Sequence, residues 1–508
     1  MKYPIGIQTF ERIIDEGFVY VDKTKSIYKL MNEGVIYFLS RPRRFGKSLL
    51  LSTLKAIFEG KKELFQGLFI ENKITWKSFP VIHLSLNSIS NKEVDLRVAL
   101  NEMINAHAKN YNVLLENGTL SGRFAELIQN LSKQGKVVLL IDEYDKPLIS
   151  FLEDTETFEK NRAILKEFYG VIKDADPYLK FVFITGVSRF AKVSIFSDLN
   201  NLKDISMHEA FCDICGYSEA DMHYYFTERI TEIATKMKIT PAELFEKVKK
   251  KYNGYNFDGG ERMYNPWSVL NFLDSGKMAN YWFSTGTPTF LTQFAERLQT
   301  NAEGVVVDKM QLGDLNFQDE NLATLLYQTG YLTIDEEIDE ETLRLKHPNL
   351  EVAESFRLFL LGYYTFVSHG TIRNMVIELR KAMQAKNAND LKAALNPIFS
   401  NIPYQIFNKN KESYYHSVMH LVFMMLHYKI QSEINTNVGR IDSVVEAWNE
   451  IWIFEFKLNS TAEIAYNQII NNNYAGQYQN HNKAIYGVGV NFDSEKKEIT
   501  ELKMEKIA

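Results

Sequence analysis

Cysteine is scarce in this sequence of 508 residues, which contains only two. Cys212 and Cys215 form a single C-x-x-C segment, with His208 nearby. A disulfide framework needs several cysteine pairs, and a tetrahedral zinc site needs four ligands, more than this segment supplies. We therefore expect two reduced, partly buried thiols at the start of a helix.

Long apolar runs and an excess of positive charge are also missing. No apolar run is long enough to cross a bilayer, and the N-terminus lacks the apolar core of a signal peptide. The formal net charge is -6, from 58 basic and 64 acidic residues, so any contact with nucleic acid has to come from local patches. We expect a cytoplasmic protein without a membrane partner.

A phosphate-binding loop is predicted between an apolar strand at 35–39 and an apolar helix at 49–58. Its sequence, R-P-R-R-F-G-K-S at 41–48, follows the pattern G-x-x-x-x-G-K-[ST] except that Arg41 replaces the first glycine. In such a loop Lys47 reaches the outer phosphates and the Ser48 hydroxyl ligates Mg²⁺. Taken alone, the segment is explained equally well as a basic turn. The residues predicted to bind a nucleotide here are Arg44, Phe45, Gly46, Lys47, Ser48 and Leu49.

A second element favours nucleotide binding over a basic turn. The apolar segment 136–141 has the character of a buried strand, and Asp142 and Glu143 follow it directly. An ATPase holds its Mg²⁺ with a carboxylate at the end of such a strand, so Asp142 is predicted as a metal ligand and Glu143 as the residue that polarises the attacking water. A core strand running into an acidic surface turn would explain the strand but not its pairing with Lys47.

Near-continuous apolar strands at 79–86, 136–142, 179–186 and 204–207, separated by helices that include a long helical region at about 92–133, predict a parallel sheet covered on both faces. Ligands bind at the carboxyl ends of such strands, where Lys47, Asp142 and Thr185 would converge, with Thr185 as a γ-phosphate sensor. The segment before the first strand is a candidate for contact with adenine.

Arg189 follows the fourth strand and has two interpretations. It either stabilises the transferring phosphate, in its own site or in a neighbour's, or forms an ion pair at the surface. The residues alone leave both open, and they leave a homo-oligomer open as well.

The sequence pattern from about residue 216 predicts helices, followed by a hairpin. The segments 330–335 and 341–346 flank an acidic turn, as in a winged helix. Acidic side chains repel phosphates, so a lid of the ATPase is favoured over a DNA-reading module. Amphipathic helices at about 350–400 predict a connector.

A second chemical site is predicted near the C-terminus. Strand alternation over 451–458 places Glu455 and Lys457 on one face, and pairing across the hairpin brings Asp442 beside them. Asp442, Glu455 and Glu433, the last from a preceding helix, would hold Mg²⁺ or Mn²⁺, while Lys457 positions or activates the water that attacks a phosphodiester. A half-exposed hairpin with solvated charges is the alternative. The order of helix, acidic strand, E-x-K strand, helix with Gln468 and apolar strand favours a nuclease.

Together, these segments resemble bacterial proteins that join an AAA-like ATPase domain to a C-terminal PD-(D/E)XK nuclease-superfamily domain. The resemblance covers nearly all of the chain and makes the missing first glycine a family trait. The segments that carry it are 41–48, 142–145, 185–190, 439–442 and 454–457, with Tyr-Asn-Gly-Tyr and Asn-Pro-Trp-Ser in the helical part and Gln468 and Tyr474 near the end.

We therefore predict an α/β protein of four parts. They are an ASCE/AAA-like P-loop parallel-sheet ATPase domain at 1–215, a helical and winged-helix-like lid at 216–348, a helical connector at 349–405 and an α/β restriction-endonuclease-like domain at 406–508.

The predicted function is ATP hydrolysis joined to Mg²⁺-dependent cleavage of nucleic acid, with DNA favoured, under ATP control. The alternatives are a regulatory or scaffolding ATPase whose nuclease-like domain binds nucleic acid or protein without cutting, and pure ATP-dependent remodelling.

Overall fold

The computed structural model describes the chain except for residues 90–94, 153, 190–194, 197–198, 200, 258–259, 284–290, 292–303, 314–321, 366, 401–411, 427 and 437–438. The chain divides into two compact units, Met1–Phe290 with Asn301–Ala353, and Leu291–Thr300 with Glu354–Ala508. The predicted four-part division stays a prediction, and its boundary at 405 lies outside the described residues.

The first unit contains the predicted parallel sheet, with five strands in the order β2-β3-β4-β1-β5. Its three central strands are almost fully buried, as expected when helices cover both faces. Because β4 lies between β1 and β3, the ends of all three strands meet at one edge. The strands are Ile36–Ser40 (β1), Val81–Ser85 (β2), Val137–Asp142 (β3), Leu179–Gly186 (β4) and Lys203–Asp204 (β5).

The last strand and the long helical region differ from the prediction. β5 is only two residues long and begins before the predicted 204–207 segment. Residues 92–94 of the predicted long helical region lie outside the described residues, and the rest of it forms two helices instead of one. The first ends near Asn112, which has a positive φ of 54°, and Thr119 caps the second by accepting a hydrogen bond from the Gly122 amide. The helices around the sheet are Phe10–Asp15, Thr24–Glu33, Lys47–Phe58, Leu96–Asn110, Leu120–Ser132, Lys146–Ile149 and Thr155–Asp174.

The predicted helical part and hairpin follow the sheet. Capping boxes at Ser218 and Thr240 begin two of the helices, and these helices share one apolar core. The predicted hairpin is confirmed, and a third strand that the sequence pattern did not reveal joins it in the order β8-β10-β9. The elements are Glu219–Met237, Pro241–Tyr252, Tyr255–Asn256 (β6), Arg262–Met263 (β7), Pro266–Ser275, Val305–Asp308 (β8), Lys309–Gly313, Leu322–Thr329, Thr333–Glu337 (β9) and Thr342–Lys346 (β10).

The second unit contains a five-stranded mixed sheet in the order β11-β12-β13-β14-β15. Only β13 and β14 run parallel, and the helix Ala462–Asn471 connects them. The strands are Lys429–Thr436 (β11), Gly439–Ala447 (β12), Glu450–Leu458 (β13), Ala484–Asp493 (β14) and Glu498–Lys506 (β15), and the preceding helices are Leu350–Thr365, His369–Ala385, Ala388–Ser400 and Glu412–Met424.

β11 and β15 were not predicted, and β11 corrects the placement of Glu433. This residue lies within a strand rather than at the end of a helix. Ile430, Ser432 and Ile434 alternate with polar residues, a period of two that carries few apolar side chains and is easily missed.

The described residues also bear on membrane-spanning helices and on the two cysteines. None of the helices there is long and apolar enough to span a bilayer. Cys212 and Cys215 carry no disulfide and lie partly buried and buried, respectively, but they follow the short helix Glu209–Phe211 instead of beginning a helix.

Candidate active sites

The loop between β1 and the helix Lys47–Phe58 folds around its own lysine. Lys47 Nζ donates hydrogen bonds to the carbonyl oxygens of Arg41 and Pro42, at 2.9 and 3.0 Å. Burial lowers the pKa of Lys47, against the opposing field of Asp142 and Glu143. The lysine thus lies within the field of the predicted metal ligand, Asp142, and of the predicted catalytic acid, Glu143.

Arg41, which replaces the glycine of the usual pattern, has a structural role that the sequence did not reveal. Its buried guanidinium donates to the carbonyl oxygens of Ser40, Ser206 and Phe211, at 3.0, 2.6 and 3.3 Å. The same group lies 4.1 Å from the ring centroid of Phe257. Arg41 therefore ties the start of the loop to the segment after β5.

Arg44 adopts a conformation that is costly for a residue with a side chain. Its φ of 68° lies in the left-handed region. Its guanidinium lies 4.3 Å from the ring centroid of Trp267, a cation–π distance, and burial lowers its pKa. The contact with Trp267 stabilises the strained loop from the helix Pro266–Ser275.

A cavity of about 300 Å³ opens beside this loop. Its walls combine the loop residues with Glu143 and Trp267, together with the N-terminal segment that the sequence marked for adenine contact. Its size is at the lower end for small-molecule sites. The lining residues of these groups are Pro4, Gly6, Ile7, Gln8, Arg43, Arg44, Phe45, Gly46, Lys47, Ser48, Leu49, Glu143 and Trp267.

The end of β3 places Glu143 in the wall of this cavity, whereas Asp142, the residue before it, is not among the described lining residues. Asp142 is buried, and its Oδ1 has no hydrogen-bond partner in the described part of the chain. Glu143 has a positive φ of 52°, and burial raises its pKa while Lys47 opposes that rise. Because buried polar atoms are nearly always paired, the unsatisfied Asp142 oxygen fits a divalent cation.

Asp145 and Tyr144 join the ends of β3 and β4. Asp145 Oδ2 accepts hydrogen bonds from the amides of Val187 and Ser188, at 3.0 and 2.6 Å, and from Ser188 Oγ at 2.6 Å. The Tyr144 hydroxyl donates to the Ser188 carbonyl oxygen at 3.0 Å. This clamp holds the two strand ends at a fixed distance.

Thr185 and Arg189 lie away from the walls of the cavity. Neither is among its described lining residues. Thr185 is fully buried opposite Leu39 in the sheet, and the Arg189 guanidinium forms an ion pair with Asp204 at 2.6 Å. An ion pair at the surface was the alternative left open for Arg189, but the observed pair is largely buried. The role of Arg189 at the transferring phosphate stays a prediction.

The second predicted site assembles on β12 and β13. Asp442 Oδ2 accepts a hydrogen bond from the Phe456 amide at 2.8 Å, and Lys457 Nζ donates to Glu455 Oε1 at 3.1 Å. Burial and the nearby Asp442 raise the pKa of Glu455 to about 7, which Lys457 opposes. Glu455 is 1% exposed, and its Oε2 has no hydrogen-bond partner within the described residues.

Comparisons with known proteins match both regions. Residues 4–196 match a family model described as a predicted AAA-ATPase, and residues 410–502 match the PD-(D/E)XK nuclease superfamily. A relative from Azotobacter chroococcum mcd 1, described as an "Uncharacterized protein in vnfD 5'region", is 33% identical over 528 residues, which cover 100% of this chain and 99% of the relative. The chain therefore belongs to the same family as this relative, and it combines a predicted AAA-ATPase-like domain with a PD-(D/E)XK nuclease-superfamily domain.

In the nuclease-superfamily domain, the structure also brings His416 to the acids. His416 Nε2 lies 3.7 Å from Asp442 Oδ2, and its ring centroid lies 5.2 Å from that of Phe456. No motif pointed to this residue, because it lies on the helix Glu412–Met424, before the strands that carry the signature.

Other residues of the nuclease-superfamily domain support the start of β12. The Tyr474 hydroxyl donates to the Arg440 carbonyl oxygen at 3.0 Å and is contacted by Gln468 Nε2 at 3.4 Å. Glu433 occupies the position opposite Asp442, since its neighbours Ser432 and Ile434 pair with Ser443 and Ile441. Its role as a metal ligand stays a prediction, because its side chain lies outside the described part of the chain.

The donor set of this domain fits a hydrated divalent cation. The described residues contain no group of three or more His, Cys, Asp or Glu side chains arranged to hold a metal. Asp442 and Glu455 supply two carboxylates, and Glu455 Oε2 is buried without a partner among the described residues. Mg²⁺ usually keeps several waters and takes few protein ligands, so two carboxylates are sufficient for such a site.

Proposed function

We propose that this protein binds and hydrolyses ATP at the loop cavity and cleaves phosphodiester bonds of nucleic acid, with DNA favoured, under ATP control. One observation carries the proposal: each matched domain gathers one lysine and two acids at a single point. These sets are Lys47 with Asp142 and Glu143, and Lys457 with Asp442 and Glu455.

At the nucleotide site, the chain would bind phosphate and position water. Lys47 would exchange its two carbonyl partners for phosphate oxygens, aided by amides at the helix N-terminus. Asp142 and Ser48 would hold Mg²⁺, and Glu143 would orient the attacking water. Trp267 and the N-terminal segment would enclose the base.

At the nuclease site, Asp442 and Glu455 would hold Mg²⁺ or Mn²⁺. The cation, when bound, supplies Lewis-acid stabilisation of charge at the phosphodiester. Lys457, hydrogen-bonded to Glu455, would orient or activate the attacking water beside the two carboxylates. A lysine that lies beside the metal-binding carboxylates is suited to orienting or activating this water.

A nuclease assay tests the proposal directly. The purified chain is incubated with plasmid, linear duplex, single-stranded DNA and RNA, with Mg²⁺ or Mn²⁺ or with a chelator, and with or without ATP. We expect metal-dependent cleavage whose rate responds to ATP and falls at least about 100-fold in Glu455→Ala. Glu463→Ala is the matched control. Glu463 is an exposed glutamate of the same domain that pairs with Lys503 and is not part of the proposed site, so this variant should cleave nucleic acid at the normal rate.

Cleavage that persists in Glu455→Ala would contradict the assignment of the site. ATP hydrolysis without cleavage of any substrate would favour the regulatory or scaffolding ATPase instead.

A further inference from the structure

The turn between β12 and β13 carries an exposed tryptophan in a strained conformation. Trp448 has a φ of 52° and is 46% exposed. A bulky residue in the left-handed region is an outlier, and asparagine or glycine would occupy the same turn at lower cost. Strain of this kind concentrates at functional positions, and no part of the proposed catalytic machinery uses this residue.

One aromatic ring packs against this tryptophan, and basic groups contact that ring or the residues that flank the turn. The ring centroid of Tyr428 lies 5.0 Å from that of Trp448, and the Arg380 guanidinium lies 6.0 Å from the centroid of Tyr428. Three lysines are paired with two carboxylates next to the turn, so these groups carry an excess of positive charge in a chain whose net charge is -6. The lysines are Lys386, Lys429 and Lys483, and their partners are Glu450 for the first and Glu446 for the other two.

An open hollow of about 420 Å³ adjoins the tryptophan. Gln384 and Asn449 line it together with Trp448, Glu450 and Ala484. The side-chain amides of Gln384 and Asn449 each offer both hydrogen-bond donors and an acceptor. An aromatic face, amide groups and nearby cations are the three features that hold a base and its phosphates.

We propose that Trp448 is a stacking platform for a base of single-stranded nucleic acid. This inference rests on the proposed function in one respect, that the ligand of this domain is nucleic acid. A single strand fits better than a duplex, because only an unpaired base exposes a face to the ring. Trp448 lies on the hairpin that carries Asp442 and Glu455, about 20 Å along the strands from them. A strand held here needs only to span this distance to reach the acids.

Binding is measured by fluorescence anisotropy in a Glu455→Ala background, so that no cutting interferes. The probes are a labelled single-stranded oligonucleotide, the same strand with abasic sites, and its duplex. Trp448→Asn tolerates the turn and removes the ring, whereas Trp448→Tyr keeps a ring. Tyr224→Asn is the control, since Tyr224 is an aromatic residue that is 82% exposed in the other unit.

Trp448→Asn should weaken single-strand binding about 5- to 150-fold, as expected for the loss of one stacked base. Trp448→Tyr should remain close to the unsubstituted protein, and Tyr224→Asn should have no effect. The abasic strand should bind the unsubstituted protein as weakly as the intact strand binds Trp448→Asn. The melting temperature of Trp448→Asn should be equal or higher, because asparagine relieves the strained turn.

Equal single-strand affinity of Trp448→Asn and of the chain that keeps the tryptophan would overturn the platform, as would equal binding of intact and abasic strands. The abasic comparison decides the matter if Trp448→Asn fails to fold. A chain that binds no oligonucleotide would also overturn it and would point to a protein partner for this turn. Ring-dependent binding in this background, together with no cleavage of any substrate by the chain that keeps Glu455, would instead overturn the proposed nuclease and leave the platform standing.

Discussion

Single residues in the first unit show how burial sets the charge of groups near the loop. Burial lowers the pKa of Lys47 and raises that of Glu143, and each group opposes the shift of the other. Arg44 and Glu143 both have positive φ angles and line one cavity. Strained residues that persist together in a cavity are typical of functional sites.

Burial also shifts the pKa of Glu351, which does not line the cavity, and from this shift we predict that stability depends on pH. It is fully buried, accepts a hydrogen bond from the Trp282 amide at 2.8 Å, and has a pKa raised by burial to about 7. The protonated form is favoured in the folded state, so this contribution to stability is complete below about pH 4.5 and is lost as the pH rises through about 7. Trp282 Nε1 also donates to the Arg43 carbonyl oxygen at 3.2 Å, so the effect lies next to the loop.

Glu351→Gln should remove this dependence. The difference in free energy of unfolding between the unsubstituted protein and the variant should shift in the variant's favour between pH 5.5 and 8, by up to about 1.4 kcal/mol for each pH unit crossed below 7. Denaturant titrations at several pH values measure it, with the exposed Glu341→Gln as the control. Parallel profiles for Glu351→Gln and the unsubstituted protein would refute the buried carboxyl as the source.

At the scale of elements, the close approach of β3 and β4 depends on a glycine. A Cβ atom at Gly186 would lie 2.6 Å from the Tyr144 ring and 2.6 Å from Asp145 Oδ1. These are the two side chains that clamp the strand ends. Any side chain at position 186 would therefore displace the clamp, which lies directly after the predicted metal ligand, Asp142, in the chain.

Gly186→Ala should destabilise the protein by about 1–3 kcal/mol through overpacking, and should reduce ATP hydrolysis more than it reduces nuclease activity. Gly170→Ala is the matched control. Gly170 lies in the helix Thr155–Asp174, and nothing lies within 4 Å of a Cβ built there, so alanine should leave stability unchanged or raise it by about 1 kcal/mol. Denaturant titrations measure the free energy of unfolding of both variants. Equal values would show that the ends of β3 and β4 can move apart at little cost.

At the scale of the whole molecule, the two predicted sites lie on separate compact units, so a substitution in one site should abolish the activity of that site alone. Lys47→Ala should abolish ATP binding and leave metal-dependent cutting without ATP, because Lys457, Asp442 and Glu455 are unchanged. Glu455→Ala should do the reverse. Nucleotide binding by calorimetry and cleavage on gels measure the two activities in each variant.

The control for the nucleotide site is Lys55→Ala. Lys55 lies on the same helix as Lys47 but is only partly buried and pairs with Glu59 at 3.7 Å. It should lose neither activity. If Lys47→Ala and Glu455→Ala each lost both activities to the same extent, the two sites would not be separable.

By itself, the sequence determined the elements whose signal is local. Apolar runs followed by Gly-Lys-Ser or Asp-Glu predicted the parallel sheet and the acids at its edge, because buried parallel strands need apolar residues throughout. Alternation along β13 predicted that Glu455 and Lys457 share a face, because side chains alternate along every strand. Both predictions depend only on neighbouring residues and on backbone geometry.

Only the tertiary structure decided which distant segments meet. Distant segments meet where Trp267 reaches the loop cavity, where Asp204 pairs with Arg189, where His416 lies beside Asp442, and where the Ser206 and Phe211 carbonyl oxygens accept hydrogen bonds from Arg41. No local pattern encodes such pairs, because they arise from the packing of whole elements. Glu433 is an example from the backbone. A helix was predicted around it, but the segment forms strand β11, because it pairs with β12 in the folded protein.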